Sequence, residues 1–415
     1  MKKNMIIAQS GGPSSAINAS ITGAIARGMA SDEIGVVYGA INGIQGFLDK
    51  KIIDISAQMT KSEDFDMLIH TPAQALGSAR YKIPKGEEGN AIFAKILSIL
   101  KEYNIGYFFF NGGNDSMDTV NRLAAFFKEK GEDIIAVGIP KTIDNDLVMT
   151  DHTPGFGSAA KYVAASIGEL YLDTIVYPHS AATVVEIMGR NAGWLTAAAV
   201  LARRHGCPAP HLIYMPETVF DPDDFLARTE KLIAEEKQIL IAVSEGLNLA
   251  DGSYLADTGA KEDMFGHKTL GGVATKLETM IKENIQVDNL KTRAIQFSTL
   301  QRSAAHFASD TDLQESYQCG YRAVEVALNG QTGVMVTIQR ASNEPYLTSF
   351  GVSPLGEIAN HEKTIPLEWI SKDGTDVTSE MTDYLKPLVR GEATEKMVDG
   401  LPAFFRFDIS KFAKA

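Results

Sequence analysis

Cysteine is nearly absent. Cys207 and Cys319 are the only two in 415 residues, too few for a disulfide framework or a cysteine zinc site, which fits a reducing cytoplasm. Long apolar runs are missing as well, and no stretch approaches the roughly 20 residues that span a bilayer. The opening MKKNMIIAQSGG has too short an apolar part for a secretory leader and reads as a first strand, which argues against export. Cations are outnumbered, 39 Lys and Arg against 52 Asp and Glu, and the net charge of −13 disfavours nucleic acids and anionic membranes as partners. The eight histidines form no HExxH or other metal-ligand spacing, so His152, His179, His205 and His211 read as loop or core residues. Neither GxGxxG nor GxxxxGK[ST] occurs, which removes the usual dinucleotide and P-loop signatures. Low-complexity linkers and short-period repeats are also lacking.

What is present is a long chain, 45% hydrophobic, with enough apolar material for two domains rather than one. Asn4 to Gln9, Ile34 to Gly39, Tyr107 to Asn111 and Asp133 to Pro140 carry strand signals separated by helical patterns such as Ala16 to Met29. After Gly155 the style repeats, with a helix near Ser158 to Leu172, a strand at Ala181 to Ile187 and a helix from Asn191 to Arg203. Strands then follow at His211 to Met215 and Gln238 to Ser244. The alternation predicts parallel strands with crossover helices. The fold class is therefore α/β, two Rossmann-like domains with mainly parallel sheets and a cleft between them. Residues 1–155 with about 301–350 form the first, and 156–300 with about 351–415 the second. Asp251 to Lys268 reads as a polar loop, and the C-terminal stretch gives a weak, mixed pattern.

The chemistry sits at the strand ends. Ile134 to Ile139 run into Pro140-Lys141-Thr142-Ile143-Asp144-Asn145-Asp146, which places a cation, a hydroxyl and two carboxylates at a strand's C-terminal edge, where open α/β sheets bind ligands. If that segment stays extended, Asp144 and Asp146 share one side, and two close carboxylates differ in proton affinity. One then accepts a proton from an attacking hydroxyl while the other helps to hold a divalent cation. The bland alternative is a Pro-led turn whose Asp and Asn side chains satisfy local backbone. A second edge is Asn111-Gly112-Gly113-Asn114-Asp115-Ser116, glycines that let the backbone approach a phosphate and a helix start that aims N–H groups at it. Its alternative is a turn in which Asp115 or Ser116 caps the next helix. Gly11-Gly12 follow the first strand, as phosphate cradle or ordinary turn. Met188-Gly189-Arg190 and Glu245 end two later strands, offering a guanidinium for a phosphate ester and a carboxylate for a sugar hydroxyl. Arg80, Arg293 and Arg302 are further cations that complete such a site or simply lie at the surface. Together these edges read as a phosphoryl-transfer site.

In the order and spacing of Gly11-Gly12, Leu76 to Arg80, Gly112 to Ser116, Pro140 to Asp146, Met188 to Arg190, Glu245 and Arg293 to Arg302, the chain resembles the phosphofructokinases over roughly residues 5 to 340. Within them it is similar to the pyrophosphate-dependent branch. ATP-using members carry GGDGS and PGTIDND, with glycines where this chain has Asp115 and Lys141. A carboxylate at 115 occupies space that an ATP α-phosphate needs; like charges about 4 Å apart repel by about 4 kcal/mol at an effective dielectric near 20. Lys141 supplies a cation to the phosphoryl group in flight.

The resemblance implies that Asp144 takes the proton from the sugar 1-hydroxyl, that Thr142 positions sugar and phosphoryl group, and that Asp146 supports the base and the metal's water shell. Gly12, Arg80, Asp115 and Ser116 would face pyrophosphate. Met188, Gly189, Arg190, Glu245, Arg293, Thr299 and Arg302 would surround fructose 6-phosphate. It further implies Mg²⁺, with Asn114 where the family usually has a metal-binding aspartate, near-equilibrium turnover in glycolysis, and a homodimer or homotetramer. Ala181 and Thr299 replace residues that other members use on the sugar phosphate, which keeps sedoheptulose 7-phosphate open as an acceptor. An ATP-dependent enzyme and a non-catalytic regulatory subunit are the competing functions.

Overall fold

The computed structural model describes residues 2–79, 81–204, 206–256 and 272–414. Arg80, His205 and the 257–268 part of the expected loop lie outside the described residues. Strands β1 (Lys3–Gln9), β2 (Ile34–Ala40), β3 (Ile52–Asp54), β4 (Ile105–Gly112) and β5 (Ile135–Pro140) precede residue 150. Strands β6 (Ala181–Ile187), β7 (Leu212–Tyr214), β8 (Gln238–Ser244), β9 (Lys291–Gln296), β10 (Val334–Asn343) and β11 (Tyr346–Pro354) follow. A seven-stranded sheet runs β11-β10-β5-β4-β1-β2-β3, and a four-stranded sheet runs β7-β8-β6-β9. The larger sheet is parallel except at its rims, where β2–β3 and β10–β11 are antiparallel. The smaller is parallel throughout. A mainly parallel α/β fold is thus what the alternating pattern forms.

Both faces of the central strands of each sheet are covered, which is why those strands read as continuous apolar runs rather than alternating ones. Ile6, Ala8, Phe108 and Phe110 pack under the helices Gly86–Glu102 and Asn114–Glu129. Met5, Ile7 and Phe109, one residue out of phase, point the other way, onto the helices Ile17–Met29 and Asp310–Leu328. Those two helices cross closely because Gly23 and Gly320 face each other's partner: a Cβ on either would collide with the carbonyl of Tyr317 or Ser20. In the smaller sheet Val185, Ile187, Leu240 and Ala242 face the helix Phe156–Ile175 and Trp194, whereas Val184, Ile241 and Val243 face Phe225, Leu277 and Ile281.

Two local expectations are corrected. The helix expected from Asn191 begins only at Trp194 and tightens into a 3₁₀ turn at Ala199–Ala202. Residues 191–193 stay a loop because the Gly193 N–H donates to the Glu217 carboxylate at 2.8 Å. The stretch after 350 is not confined to the second sheet. Leu355 and Ile358 enter the first sheet's core, Ile365, Met381, Leu385 and Leu388 the second's. The tail then returns to the first, where the Ala413 N–H donates to the Ile52 carbonyl at 2.7 Å. No helix of the described residues is long and apolar enough to cross a membrane.

Candidate active site

In the larger sheet β1 lies between β2 and β4, so the chain leaves β1 in one direction and comes back on its other side. The C-terminal ends of β1 and β4 therefore diverge and open a crevice, the place where open α/β sheets hold ligands. A cavity of about 690 Å³ occupies it. From the larger sheet come Ser10 to Pro13 after β1, Gly113 to Ser116 after β4 and Lys141 to Asp144 with Asp146 after β5. The ends of β6 and β8 close it from the opposite side with Met188, Arg190, Asn191, Ala192 and Glu245, joined by Arg302.

The segment after β5 does not stay extended. Asn145 has φ 56°, in the left-handed region, and folds the chain into a turn that still brings Asp144 and Asp146 to one cavity wall. The turn is closed by the Asp144 N–H donating to Thr142 Oγ1 at 3.1 Å, and by Thr153 Oγ1 donating to the Thr142 carbonyl at 2.8 Å. Lys141 is buried. Its Nζ donates to the Gly12 carbonyl at 2.7 Å, and its backbone N–H to the Gly112 carbonyl at 3.0 Å, so one residue ties three strand ends together. The glycine pair after β1 has a steric reason. A Cβ on Gly11 would stand 3.1 Å from Lys141 Nζ, and one on Gly12 would stand 3.1 Å from an Arg302 guanidinium nitrogen.

The electrostatics follow from burial and crowding. Asp144 is pushed up to about 7 by desolvation, then by Asp146 and Glu245, against the pull of Lys141 and Arg190. Asp146 is also raised, mainly by desolvation, with a Thr142 hydrogen bond opposing. Burial lowers Lys141 to about 8, the two aspartates resisting. Glu245 is raised by desolvation despite the Gly189 N–H at 3.4 Å and the nearby Arg190. A carboxylate poised near neutrality beside a buried ammonium suits proton abstraction coupled to anion stabilisation.

The glycine-rich edge after β4 begins the helix Asn114–Glu129 at Gly113, with no side-chain cap, so neither Asp115 nor Ser116 serves as one. Ser116 is buried in that first turn. Asp115 sits at the cavity mouth, its carboxylate 3.7 Å from Lys82 Nζ, both side chains about half exposed. Asn114 is committed elsewhere: its Nδ2 donates to the His361 carbonyl at 2.5 Å, and its Oδ1 accepts the Asn360 N–H at 2.6 Å. As a metal ligand it is therefore preoccupied, and no group of three or more His, Cys, Asp or Glu among the described residues is placed to hold a metal. Asp146 Oδ1, in contrast, is buried with no hydrogen-bond partner among the described residues.

On the other wall, Arg190 Nε is likewise buried without a partner among the described residues, a donor left for an anionic ligand. Gly189 contributes its N–H to Glu245 rather than a cavity surface. Arg293 and Thr299 are not brought to the cavity. Arg293 pairs with Asp173 at 2.7 Å on the exposed rim of β9, and Thr299 starts the short helix Leu300–Ser303. A side chamber of about 200 Å³ is lined by Glu186, Met188, Glu245, Gln296, Ser298 and Gln301. Its described lining holds no cation, which suits hydroxyls rather than phosphate.

Several lining residues escaped the sequence reading: Lys82, Asn191, Asn360 and Glu362. Lys82 stands two residues beyond Arg80 and was within reach of the same argument. Asn360 and Glu362 were not, because they come from the patternless C-terminal stretch. Glu362 reaches Asn191 Nδ2 at 3.0 Å, so this stretch crosses the cleft from Asn114 on one wall to Asn191 on the other.

Glycine-lined strand ends, a buried lysine and a near-neutral aspartate between two mainly parallel sheets define an α/β phosphoryl-transfer enzyme. The Phosphofructokinase family model matches residues 4–327, and the chain belongs to that family. It is 41% identical to a pyrophosphate–fructose 6-phosphate 1-phosphotransferase of Halomonas elongata, the match covering 99% of this chain and 96% of the relative. Among solved structures, a pyrophosphate-dependent phosphofructokinase from Nitrosospira multiformis superposes with a TM-score of 0.88 at 37% identity, covering 98% of this chain and 97% of that one. One from Marinobacter aquaeolei gives 0.87 at 36% identity, covering 100% and 98%.

Proposed function

We propose that the protein transfers a phosphoryl group from pyrophosphate to the 1-hydroxyl of fructose 6-phosphate, reversibly and with Mg²⁺, giving fructose 1,6-bisphosphate and phosphate. The observation that carries the donor assignment is the Lys141 ammonium seated in the Gly11-Gly12 turn within the cavity that also holds Asp144. A fixed cation there places positive charge where a compact diphosphate bears its negative charge. The names of its relatives support the same donor and acceptor.

Asp144 takes the proton of the 1-hydroxyl as that oxygen bonds to the nearer phosphorus, and the bond to the bridging oxygen breaks. The electron pair leaves with phosphate. Lys141 and the N–H groups of the helix start at Gly113 meet the charge on transferred and departing oxygens. Thr142 holds the Asp144 backbone, Arg190 and Arg302 take the sugar's phosphate, and Glu245 accepts from a sugar hydroxyl. In the reverse direction Asp144 returns the proton.

The cavity's described lining has five carboxylates, Asp115, Asp144, Asp146, Glu245 and Glu362, against four cations, Lys82, Lys141, Arg190 and Arg302. That balance, with the orphaned Asp146 oxygen, fits Mg²⁺ held by one or two carboxylates plus the donor's own oxygens. Bound there, the ion neutralises phosphate charge and orients the donor. Cytoplasmic placement and a homodimer or homotetramer belong to the same reading. In that reading Arg293, exposed on the rim of β9 and paired with Asp173, serves a neighbouring copy's cavity.

A coupled assay of the purified chain with pyrophosphate or ATP, across fructose 6-phosphate and sedoheptulose 7-phosphate, tests this. Turnover with pyrophosphate and little with ATP is expected; turnover with ATP alone rejects the donor assignment.

A further inference from the structure

The Asp144–Asp146 turn depends on a buried, left-handed asparagine, and two of the three residues that hold its side chain lie outside the residues that match the family. Asn145 is fully buried at φ 56°, a conformation that persists in an L-residue only when its surroundings fix it. Its amide is gripped at both ends. Nδ2 donates to Tyr384 Oη at 2.8 Å, while Oδ1 accepts from the Thr153 N–H at 3.1 Å and from Lys363 Nζ at 3.4 Å. The backbone that follows it is held by the same two residues. The Lys363 N–H donates to the Asp146 carbonyl at 2.8 Å, and Lys363 Nζ donates to the carbonyls of Asp151 at 2.7 Å and Thr150 at 3.2 Å. Tyr384 Oη donates to the Asp151 carbonyl at 2.8 Å.

Lys363 is itself fixed from the second sheet's side. The Trp194 indole N–H donates to its carbonyl at 3.0 Å, and its ammonium lies 5.3 Å from the Trp194 ring centre. Burial lowers this lysine to about 8, against the pull of Asp151 and Asp146. Neither Lys363 nor Tyr384 lines the cavity, and both lie beyond the matched residues 4–327.

We propose that Lys363 and Tyr384 are positioning residues: the C-terminal stretch carries them across the cleft to lock the Asn145 turn, so that Asp144 faces the sugar hydroxyl and Asp146 the donor. The structure thereby gives the stretch after β11 a task in the reaction. The inference rests on Asp144 being the base.

The test uses the full-length chain with Tyr384→Phe, which keeps the ring and removes only the hydroxyl, and Lys363→Met, which keeps most of the volume and removes the cation. A displacement of about 1 Å at reacting atoms costs on the order of a hundredfold in rate. Lys363→Met is therefore expected to lose about that much in kcat and Tyr384→Phe about tenfold. KM for both substrates should stay near wild type, and the acid limb of the kcat–pH profile should move. Unchanged kcat and pH limb in both variants overturn the proposal. So does a loss of kcat that only follows the folded fraction in thermal unfolding, with fructose 6-phosphate binding by calorimetry falling in step. Asp144→Asn, run alongside, separates the two readings. Full activity there removes the base itself, whereas activity lost there but kept in Tyr384→Phe and Lys363→Met removes only the positioning role.

Discussion

Lys141 Nζ donates to the carbonyl of Gly12 at 2.7 Å, joining the ends of β5 and β1 across the cavity floor. The contact fixes the ammonium without neutralising it, since a carbonyl supplies lone pairs but no charge, and the hydrogen bonds left over face the ligand. Lys141→Met should keep the packing and lose the cation. Removing one preorganised charge-stabilising group costs roughly 10²–10³-fold in turnover, so kcat with pyrophosphate should fall by about that factor while fructose 6-phosphate binding by calorimetry is retained. Initial rates equal to wild type would show that the ammonium plays no part.

Asp144→Asn separates chemistry from stability. General-base loss costs roughly 10²–10⁴-fold, so turnover should nearly vanish. Stability should go the other way. The Asp144 carboxyl is raised from 3.8 to about 7, so the fold favours its protonated form, and the penalty for ionising it appears as pH rises from about 4 and is complete above about 7. At pH 8 the neutral amide should unfold at a higher temperature than the wild type, and near pH 4 the two should coincide. A variant that is less stable at pH 8 contradicts the assigned environment.

The α/β class and most of the strand ends that line the cavity were readable because strand ends are marked twice, by an apolar run that stops and by the polar residues that follow. Pro140 to Asp146, Met188 to Arg190 and Glu245 were legible in that way. The turn at Asn145 was not, since an alternation of Asp, Asn and Asp is the same string whether extended or left-handed. Arg293 was misplaced relative to its own cavity because residues at the rim of an edge strand carry no signal of which way they face. Asn360, Glu362, Lys363 and Tyr384 were invisible for a different reason. They act through backbone carbonyls and side-chain amides contributed by residues 171 to 246 positions away, and no local periodicity encodes such partners.

The geometry lowers the weight of Asp115 as a barrier to ATP. A close like-charge contact at an effective dielectric near 20 is worth about 4 kcal/mol, but the Asp115 side chain is 44% exposed and has Lys82 at 3.7 Å. Solvent and that counter-charge reduce such an exposed pair's effect to about 1 kcal/mol or less. Asp115→Gly alone should therefore raise ATP-dependent turnover by no more than about tenfold. Adding Lys141→Gly, which clears the ammonium from the Gly11-Gly12 turn, should be needed for substantial ATP use. ATP-dependent rates in the two single variants and the double variant check this, and full conversion by Asp115→Gly alone would restore the larger estimate.

The same two ionisations set opposite limbs of the pH–rate profile. In the forward direction Asp144 must be unprotonated, so activity should fall as pH drops through about 7, and Lys141 must be protonated, so activity should fall as pH rises through about 8. The forward optimum is then narrow and lies between them. Run from fructose 1,6-bisphosphate and phosphate, the reaction needs Asp144 in its protonated form. The limb near 7 should invert, rates rising as pH falls through it, while the limb near 8 stays. Lys141→Met should abolish the upper limb in both directions and leave the lower one. Because the donor's own protonation is common to wild type and variant, the difference between their profiles isolates the lysine. An upper limb that survives Lys141→Met and disappears in Lys363→Met, whose ammonium is also lowered to about 8, would transfer the assignment to the residue behind the turn.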